Sequence, residues 1–363
     1  MSFNQIVLWA IAFGALIGGL DKILGNRFGL GKEFDKGIET MGALALGMAG
    51  ITCLTPLLQK GISVAVAPLC GALHMDPAIF GALLANDMGG YQLAMQLAED
   101  PRAGQLAGAL VASTLGASLV FNIPVGLGSV EKEKHPYFIQ GLLIGFIAIP
   151  VGGICGGLAA GFPAMLVLKN IAPVAIISLL LALGMWRIPE KMTRGCMAFG
   201  KLVGILGAAG LACAIFESIT GIAILPGMSP VSGAMEVVGE IAIVLAGTFP
   251  LLSIVMKALN RPLTWLGNKL GLDFTSTSGL IFSLANSVPV LAMTKDMDPR
   301  GVVINTAWMT TASAVLGDHL GFTASVEPDM IFALVVTKLT GGILAVLIAM
   351  YMTRSDRPAT AGK

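Results

Sequence analysis

Leu84-Ala85-Asn86-Asp87-Met88-Gly89-Gly90 breaks an apolar stretch at its middle, and about two hundred residues later Leu284-Ala285-Asn286-Ser287-Val288-Pro289 does the same. In residues 77–98 and 276–294 alike, the break leaves arms of about ten residues, or about 15 Å as helix, half the thickness of a bilayer core. That length suits a re-entrant hairpin, which enters the membrane and leaves by the same face. The likeness extends outward from the breaks. Asp100-Pro101-Arg102 follows the first as Asp298-Pro299-Arg300 follows the second. Ala49-Gly50 and Pro56-Leu57-Leu58 echo Ala246-Gly247 and Pro250-Leu251-Leu252, and Ala112-Ser113 with Leu115-Gly116 echoes Ala312-Ser313 with Leu316-Gly317. Matches in the same order imply a duplicated unit.

The composition places this unit in lipid. Apolar residues make up 55% of the 363 and charged residues only 12%, a balance foreign to soluble domains. A net charge of +1 without basic clusters excludes a nucleic-acid partner. The first apolar stretch, Ile6 to Leu20, has no basic segment before it and is expected to be retained as a span. Cys53, Cys70, Cys155, Cys196 and Cys213 lie in or beside apolar stretches without CxxC spacing and read as small core residues. Gly14 with Gly18, and Gly152, Gly153, Gly156, Gly157 and Gly161, give the small-xxx-small spacing of close helix contacts.

The fold expected is an all-α polytopic membrane protein of about nine spans plus two re-entrant hairpins, in two inverted structural repeats. The spans are 6–24, 41–58, 103–122, 137–160, 164–186, 197–216, 237–258, 301–320 and 329–352. With both broken segments re-entrant, seventeen Lys and Arg fall on one side and only Lys60 and Arg102 on the other. The positive-inside rule then sets the N-terminus outside and the C-terminus in the cytoplasm. It also makes the repeats inverted, so the hairpins enter from opposite faces. Residues 1–160 form the first repeat, 161–190 a connecting span, 191–352 the second repeat and 353–363 a cytoplasmic tail.

Inverted repeats with broken helices are the architecture of secondary transporters, whose site lies near the midplane between the halves. The expected binding residues are therefore those of the two tips: Asn86, Asp87, Gly89 and Gly90 in the first, Asn286 and Ser287 in the second. A carboxylate at Asp87 must be paired, hydrated or opposite a cation, or else cap the second arm. One acidic tip with amide and hydroxyl groups suits a small cation carrying an alcohol better than an organic anion, with Lys338 the counterargument. Trp308 and Tyr91 are candidates for a cation–π face. Asp318 and His319, placed near the outer end of their span, read as a gate, a proton-linked pair, part of the site or an interfacial cap. Lys338, mid-span in Thr337-Lys338-Leu339-Thr340, is expected to pair with an acid and to serve gating or coupling. No catalytic residue, metal site or cofactor is expected. With only His74, His135 and His319 in the chain, an intramembrane enzyme built on Asp318 and His319 would lack a nucleophile and a ligand cluster.

Several motifs jointly resemble the bacterial ethanolamine-utilisation permease family, the EutH type. They are Met41-Gly42-Ala43-Leu44-Ala45-Leu46, Asp87-Met88-Gly89-Gly90, Ile123-Pro124-Val125, Ile188-Pro189-Glu190-Lys191-Met192, Leu284-Ala285-Asn286 with Pro289, Met297-Asp298 with Arg300-Gly301 and Ile304-Asn305, and Leu316-Gly317-Asp318-His319-Leu320-Gly321-Phe322. The resemblance covers nearly the whole chain. It implies a transporter in the bacterial inner membrane that moves ethanolamine into the cytoplasm, functionally linked to the enzymes that degrade it. Two departures stand out: Ser287 where the family leads one to expect asparagine, and a short loop between Gly221 and Glu236. Alternating access with Asp87 as counter-ion is the expected mechanism. A channel-like facilitator and a carrier for another small amine or polar solute are the rival readings, and a homo-oligomer is left open.

Overall fold

The computed structural model describes residues 1–84, 88–269 and 271–354, without the side chains of Asn260, Leu263, Leu266 and Asn268. Among the described residues every element is helical. In chain order they are α1 (Phe3–Ile23), α2 (Leu30–Leu73), the short pair α3 (Ala78–Leu84) and α4 (Gly89–Leu97), α5 (Pro101–Ser129), α6 (His135–Ala159) and α7 (Ala164–Arg187). There follow α8 (Pro189–Thr220), α9 (Val231–Lys269), the short pair α10 (Phe274–Ser283) and α11 (Ser287–Met293), α12 (Pro299–Ala312), α13 (Asp318–Val326) and α14 (Ile331–Met352). Eight stretches among the described residues are long and apolar enough to cross a membrane. The chain is a multi-pass membrane protein.

Two expectations change in detail. Residues 41–58 are only part of α2, which runs for 44 residues because the polar stretch before them is amphipathic helix rather than loop. Residues 301–320 do not form one continuous helix. α12 stops at Ala312, Ala314 takes a left-handed φ of 57°, and α13 starts at Asp318. The released amides are satisfied across the break: Ala314 N donates to the Ser283 carbonyl at 2.8 Å and Leu316 N to the Leu284 carbonyl at 2.9 Å. Non-helical backbone at membrane depth needs such partners. In the other half, α5 is continuous but adopts π-helical geometry over Leu106–Gly116 and Ser118–Asn122.

The elements on either side of α7 share an order: a helix, a very long helix, two short helices, an irregular helix and a final span. α2 carries Pro56 and Pro68, and α9 carries Pro250 and Pro262, at the same separation. An aspartate closes the base of each short pair. Asp76 accepts from the backbone N–H of Ala78, Glu99 and Asp100 at 2.9–3.0 Å; Asp273 accepts from Ser276 N at 2.6 Å and from Asp298 N at 3.5 Å. Asp100 also binds Arg102, whose guanidinium holds that carboxyl below its ordinary range.

Packing runs crosswise between the halves. α1 packs on α9 and α8 on α2. Both contacts are made through glycines, since lipid supplies no hydrophobic drive and close backbone approach must serve instead. A Cβ on Gly50 would stand 2.7 Å from the Gly207 carbonyl carbon, and one on Gly247 would stand 3.0 Å from that of Ile11. Gly152 and Gly156 likewise seat α6 against Thr337 and Ala333 of α14, as their spacing implies. The five cysteines are free thiols, Cys53, Cys70 and Cys196 buried and Cys155 and Cys213 half-buried.

Apolar cores flank the centre. One joins α3, α5, α6, α7, α11, α12 and α14 around Leu110, Phe138, Phe146 and Val302; another joins α2, α4, α8, α9 and α13 around Met48, Val238, Leu245 and Phe322. α5 is the most interior of the long helices, with 83% of its apolar window buried, against 22% for α1. Trp9, Phe13, Leu179, Leu202 and Leu347 are exposed on the outer helices, the surface that lipid covers in a membrane.

Candidate functional site

Between these cores lies a cavity of about 440 Å³. One wall is α2 (Glu33, Lys36, Thr40, Ala43, Leu44, Gly47, Met48) with α9 (Leu245, Phe249, Leu252). The other is assembled from interruptions: Met88 and Gly89 at the start of α4, Ala117, Phe121 and Asn122 from α5, Ala285, Asn286 and Ser287 between α10 and α11, and Ser313, Ala314, Asp318 and His319 at the break between α12 and α13. Both polar interruptions recognised in the sequence therefore supply residues to one space.

The local chemistry explains why the second tip holds its shape. Asn286 caps α11, its Oδ1 accepting from Val288 N at 2.8 Å, while its Nδ2 donates to Asp318 Oδ2 at 3.2 Å. Ser287 is buried, and its hydroxyl donates to Asn122 Oδ1 at 3.2 Å, joining the tip to α5. Gly317 lets the break lie directly against the tip, because a Cβ there would meet the Ala285 carbonyl. In the first half Gly116 lets α5 approach α3 closely, for a Cβ there would stand 2.6 Å from the Ala82 oxygen. His319 is buried, and its Nδ1 lies 3.3 Å from the Ser313 carbonyl oxygen, a contact that needs the proton on Nδ1.

Of the residues expected from sequence, Gly89, Asn286, Ser287, Asp318 and His319 line the cavity. Asn86 and Asp87 lie outside the described residues. Gly90 is off the wall and packs against Ala112 of α5. Lys338 is also off the wall, completely buried one layer behind Ser313, and its Nζ donates to the Ser113 and Ser313 carbonyls at 2.7 and 2.9 Å. Asp318 and His319 are not at an outer helix end: the chain is broken before them, so they open a new helix beside the cavity. The aromatic residues of the lining are Phe121 and Phe249, not Trp308 or Tyr91. Trp308 donates to the Leu280 carbonyl at 3.1 Å, and Tyr91 to Glu327 at 2.7 Å.

Asn122, Phe121, Ser313 and the α2 face went unassigned in the sequence reading. Asn122 had a readable signal, a polar residue deep in an apolar span just before Pro124. Among the described residues no group of three His, Cys, Asp or Glu side chains could hold a metal ion.

The family described as "Ethanolamine utilisation protein, EutH" matches residues 3–352. The chain belongs to the EutH family. It is 46% identical to a Listeria monocytogenes protein named "Probable ethanolamine permease EutH", over 97% of this chain and 95% of that one. A Bacillus subtilis relative named "Uncharacterized protein YxeR" is 43% identical over the full chain and 97% of its own. An Escherichia coli relative, again named "Probable ethanolamine permease EutH", is 36% identical over 99% and 98% of the two chains. The relatives that carry a functional name are named as permeases and not as enzymes. No solved structure matches this EutH-family chain.

Proposed function

We propose that this chain carries ethanolamine across the bacterial inner membrane into the cytoplasm by alternating access, using the cavity between the two short helix pairs as its binding site. The observation that carries the reading is the convergence of Gly89, Asn286, Ser287 and Asp318 on one cavity from elements about two hundred residues apart. Names of relatives supply the substrate, and the chemistry of the wall suits it. Ethanolamine at neutral pH is an ammonium ion with a hydroxyl. Asp318 offers a carboxylate, Asn286, Ser287 and Asn122 offer hydrogen-bonding groups, and Phe121 and Phe249 offer aromatic faces. Asp87 is assigned as the second acid from its place in the first tip.

The halves act as inverted repeats, a reading supported by the shared order of elements, the matched prolines and aspartates, and the crosswise glycine contacts. In this conformation the cavity extends to Glu33 and to the exposed Lys36, on the basic side that the positive-inside rule makes cytoplasmic. On the other side, Tyr91 of α4 donates to Glu327 at 2.7 Å and packs edge-on against Phe322 at 5.9 Å, closing α4 onto α13. This is an inward-facing state with an outer latch. Counterflow in proteoliposomes tests the carrier: vesicles preloaded with ethanolamine should accumulate labelled ethanolamine transiently above equilibrium. Equilibration without overshoot would make the protein a channel-like facilitator, and indifference to ethanolamine would remove the substrate.

A further inference from the structure

Lys338 lies in the middle of a 22-residue apolar helix and has no exposed surface. A lysine there cannot snorkel to an interface, and burying its charge is costly unless the site is built for it. Backbone supplies two of the groups that meet it. Ser113 lies in the π-helical part of α5, and Ser313 is the last residue before the break after α12. At both places the backbone departs from α-helical pairing and offers a carbonyl oxygen to an outside donor; the Ser313 oxygen also stands 3.3 Å from His319 Nδ1. The Lys338 ammonium takes both, at 2.7 Å and 2.9 Å.

The two serines occupy the same place in the two halves, Ala112-Ser113 before Leu115-Gly116 and Ala312-Ser313 before Leu316-Gly317. Lys338 therefore sits where matched carbonyls from the two halves converge, immediately behind the cavity residue Ser313. Converging carbonyls from interrupted helices are what carriers of broken-helix architecture use to hold a coupling cation. A lysine ammonium is a compact point charge suited to the same oxygens.

We propose that Lys338 is a tethered stand-in for a coupling cation: its ammonium permanently fills a cation site formed by the Ser113 and Ser313 carbonyls, so the transport cycle needs no sodium ion. A free cation among the same oxygens would stand within a few ångströms of the ammonium, and like charges at that distance repel strongly in a poorly screened interior. The sodium independence rests on the carrier reading; the occupied cation site does not.

The test therefore has an arm that requires no transport. The purified protein is melted in detergent in sodium chloride and in N-methylglucamine chloride at equal ionic strength. Wild type should melt at the same temperature in both. Lys338→Ala should melt lower and be restored selectively by sodium or by free methylammonium, with a rise of about 3–5 °C at a hundred times the Kd. A saturable, sodium-specific rise in wild type overturns the proposal, as does a Lys338→Ala protein indifferent to both cations. If Lys338→Ala does not fold, Lys338→Gln takes its place and the wild-type arm decides alone. In proteoliposomes, wild-type ethanolamine uptake should be the same in either salt, and a strict sodium requirement also overturns the proposal. No uptake in either salt, with the melting pattern as expected, removes the ethanolamine reading and leaves the Lys338 site standing.

Discussion

Replacing Gly317 with alanine should both destabilise the protein and impair transport, because Gly317 is where the broken helix rests on the second tip. The added Cβ would stand 2.9 Å from the Ala285 carbonyl carbon and closer still to its oxygen, where ordinary contact begins near 3.4 Å. These are backbone atoms and cannot rotate aside, so the tip and the break must separate by more than about half an ångström. The separation strains the Leu316 N to Leu284 carbonyl bond, now 2.9 Å, and the 3.2 Å bond from Asn286 to Asp318 across the same seam. Overpacking and one weakened buried hydrogen bond together cost about 2–4 kcal/mol. Each 1.4 kcal/mol lost from the site is about tenfold in affinity, so uptake at limiting ethanolamine should fall at least about tenfold. Melting in detergent and initial uptake rates measure the two effects. Gly204→Ala is the control, since a Cβ there meets nothing within 4 Å. A Gly317→Ala protein with wild-type melting and uptake would refute the packing of the tip against the break.

Asp318→Asn keeps the shape of the wall and removes its charge; uptake at limiting ethanolamine should fall at least about tenfold, a loss of about 1.4 kcal/mol or more, and unchanged uptake would take Asp318 out of the site. Ser287→Ala removes the hydroxyl that donates to Asn122, and a loss of about 1 kcal/mol should appear as a roughly fivefold higher KM with little change in maximal rate. Tyr91→Phe keeps the ring contact with Phe322 but loses the hydrogen bond to Glu327. It should raise the labelling of a cysteine at position 88 by an impermeant reagent from outside, measured on intact cells. Gly50→Ala and Gly247→Ala, at matched helix contacts, should each lower the melting temperature, whereas tolerance at either position would argue against the crosswise packing.

What could be read from the sequence is what polarity marks. The two interrupted segments, the glycine contacts and the unusual residues Asp318, His319 and Lys338 all stand out against apolar surroundings. The break after Ala312 did not, because Ser313-Ala314-Val315-Leu316 is as apolar as an uninterrupted span; it is stabilised by amides that reach the Ser283 and Leu284 carbonyls, which no local pattern shows. The π-helical turns of α5 are hidden for a similar reason, being written in residues that also suit an ordinary helix. Two backbone carbonyls receive the Lys338 ammonium, and backbone partners leave no mark on residue type. The α2 wall was missed because Glu33, Asp35, Lys36 and Glu39 read as a loop. They lie on an amphipathic helix whose Glu33, Lys36 and Thr40 line the cavity mouth.

The central claim is that ethanolamine binds between the two tips. Cysteines placed singly at Gly89 and Ser287, in a protein freed of Cys53, Cys70, Cys155, Cys196 and Cys213, test it directly when their rates of thiol labelling are followed against ethanolamine concentration. Both sites line the cavity, so both should be protected, with the same half-saturating concentration. Labelling of either site that is indifferent to ethanolamine, or protection at clearly different concentrations, would contradict a single site shared by the two halves.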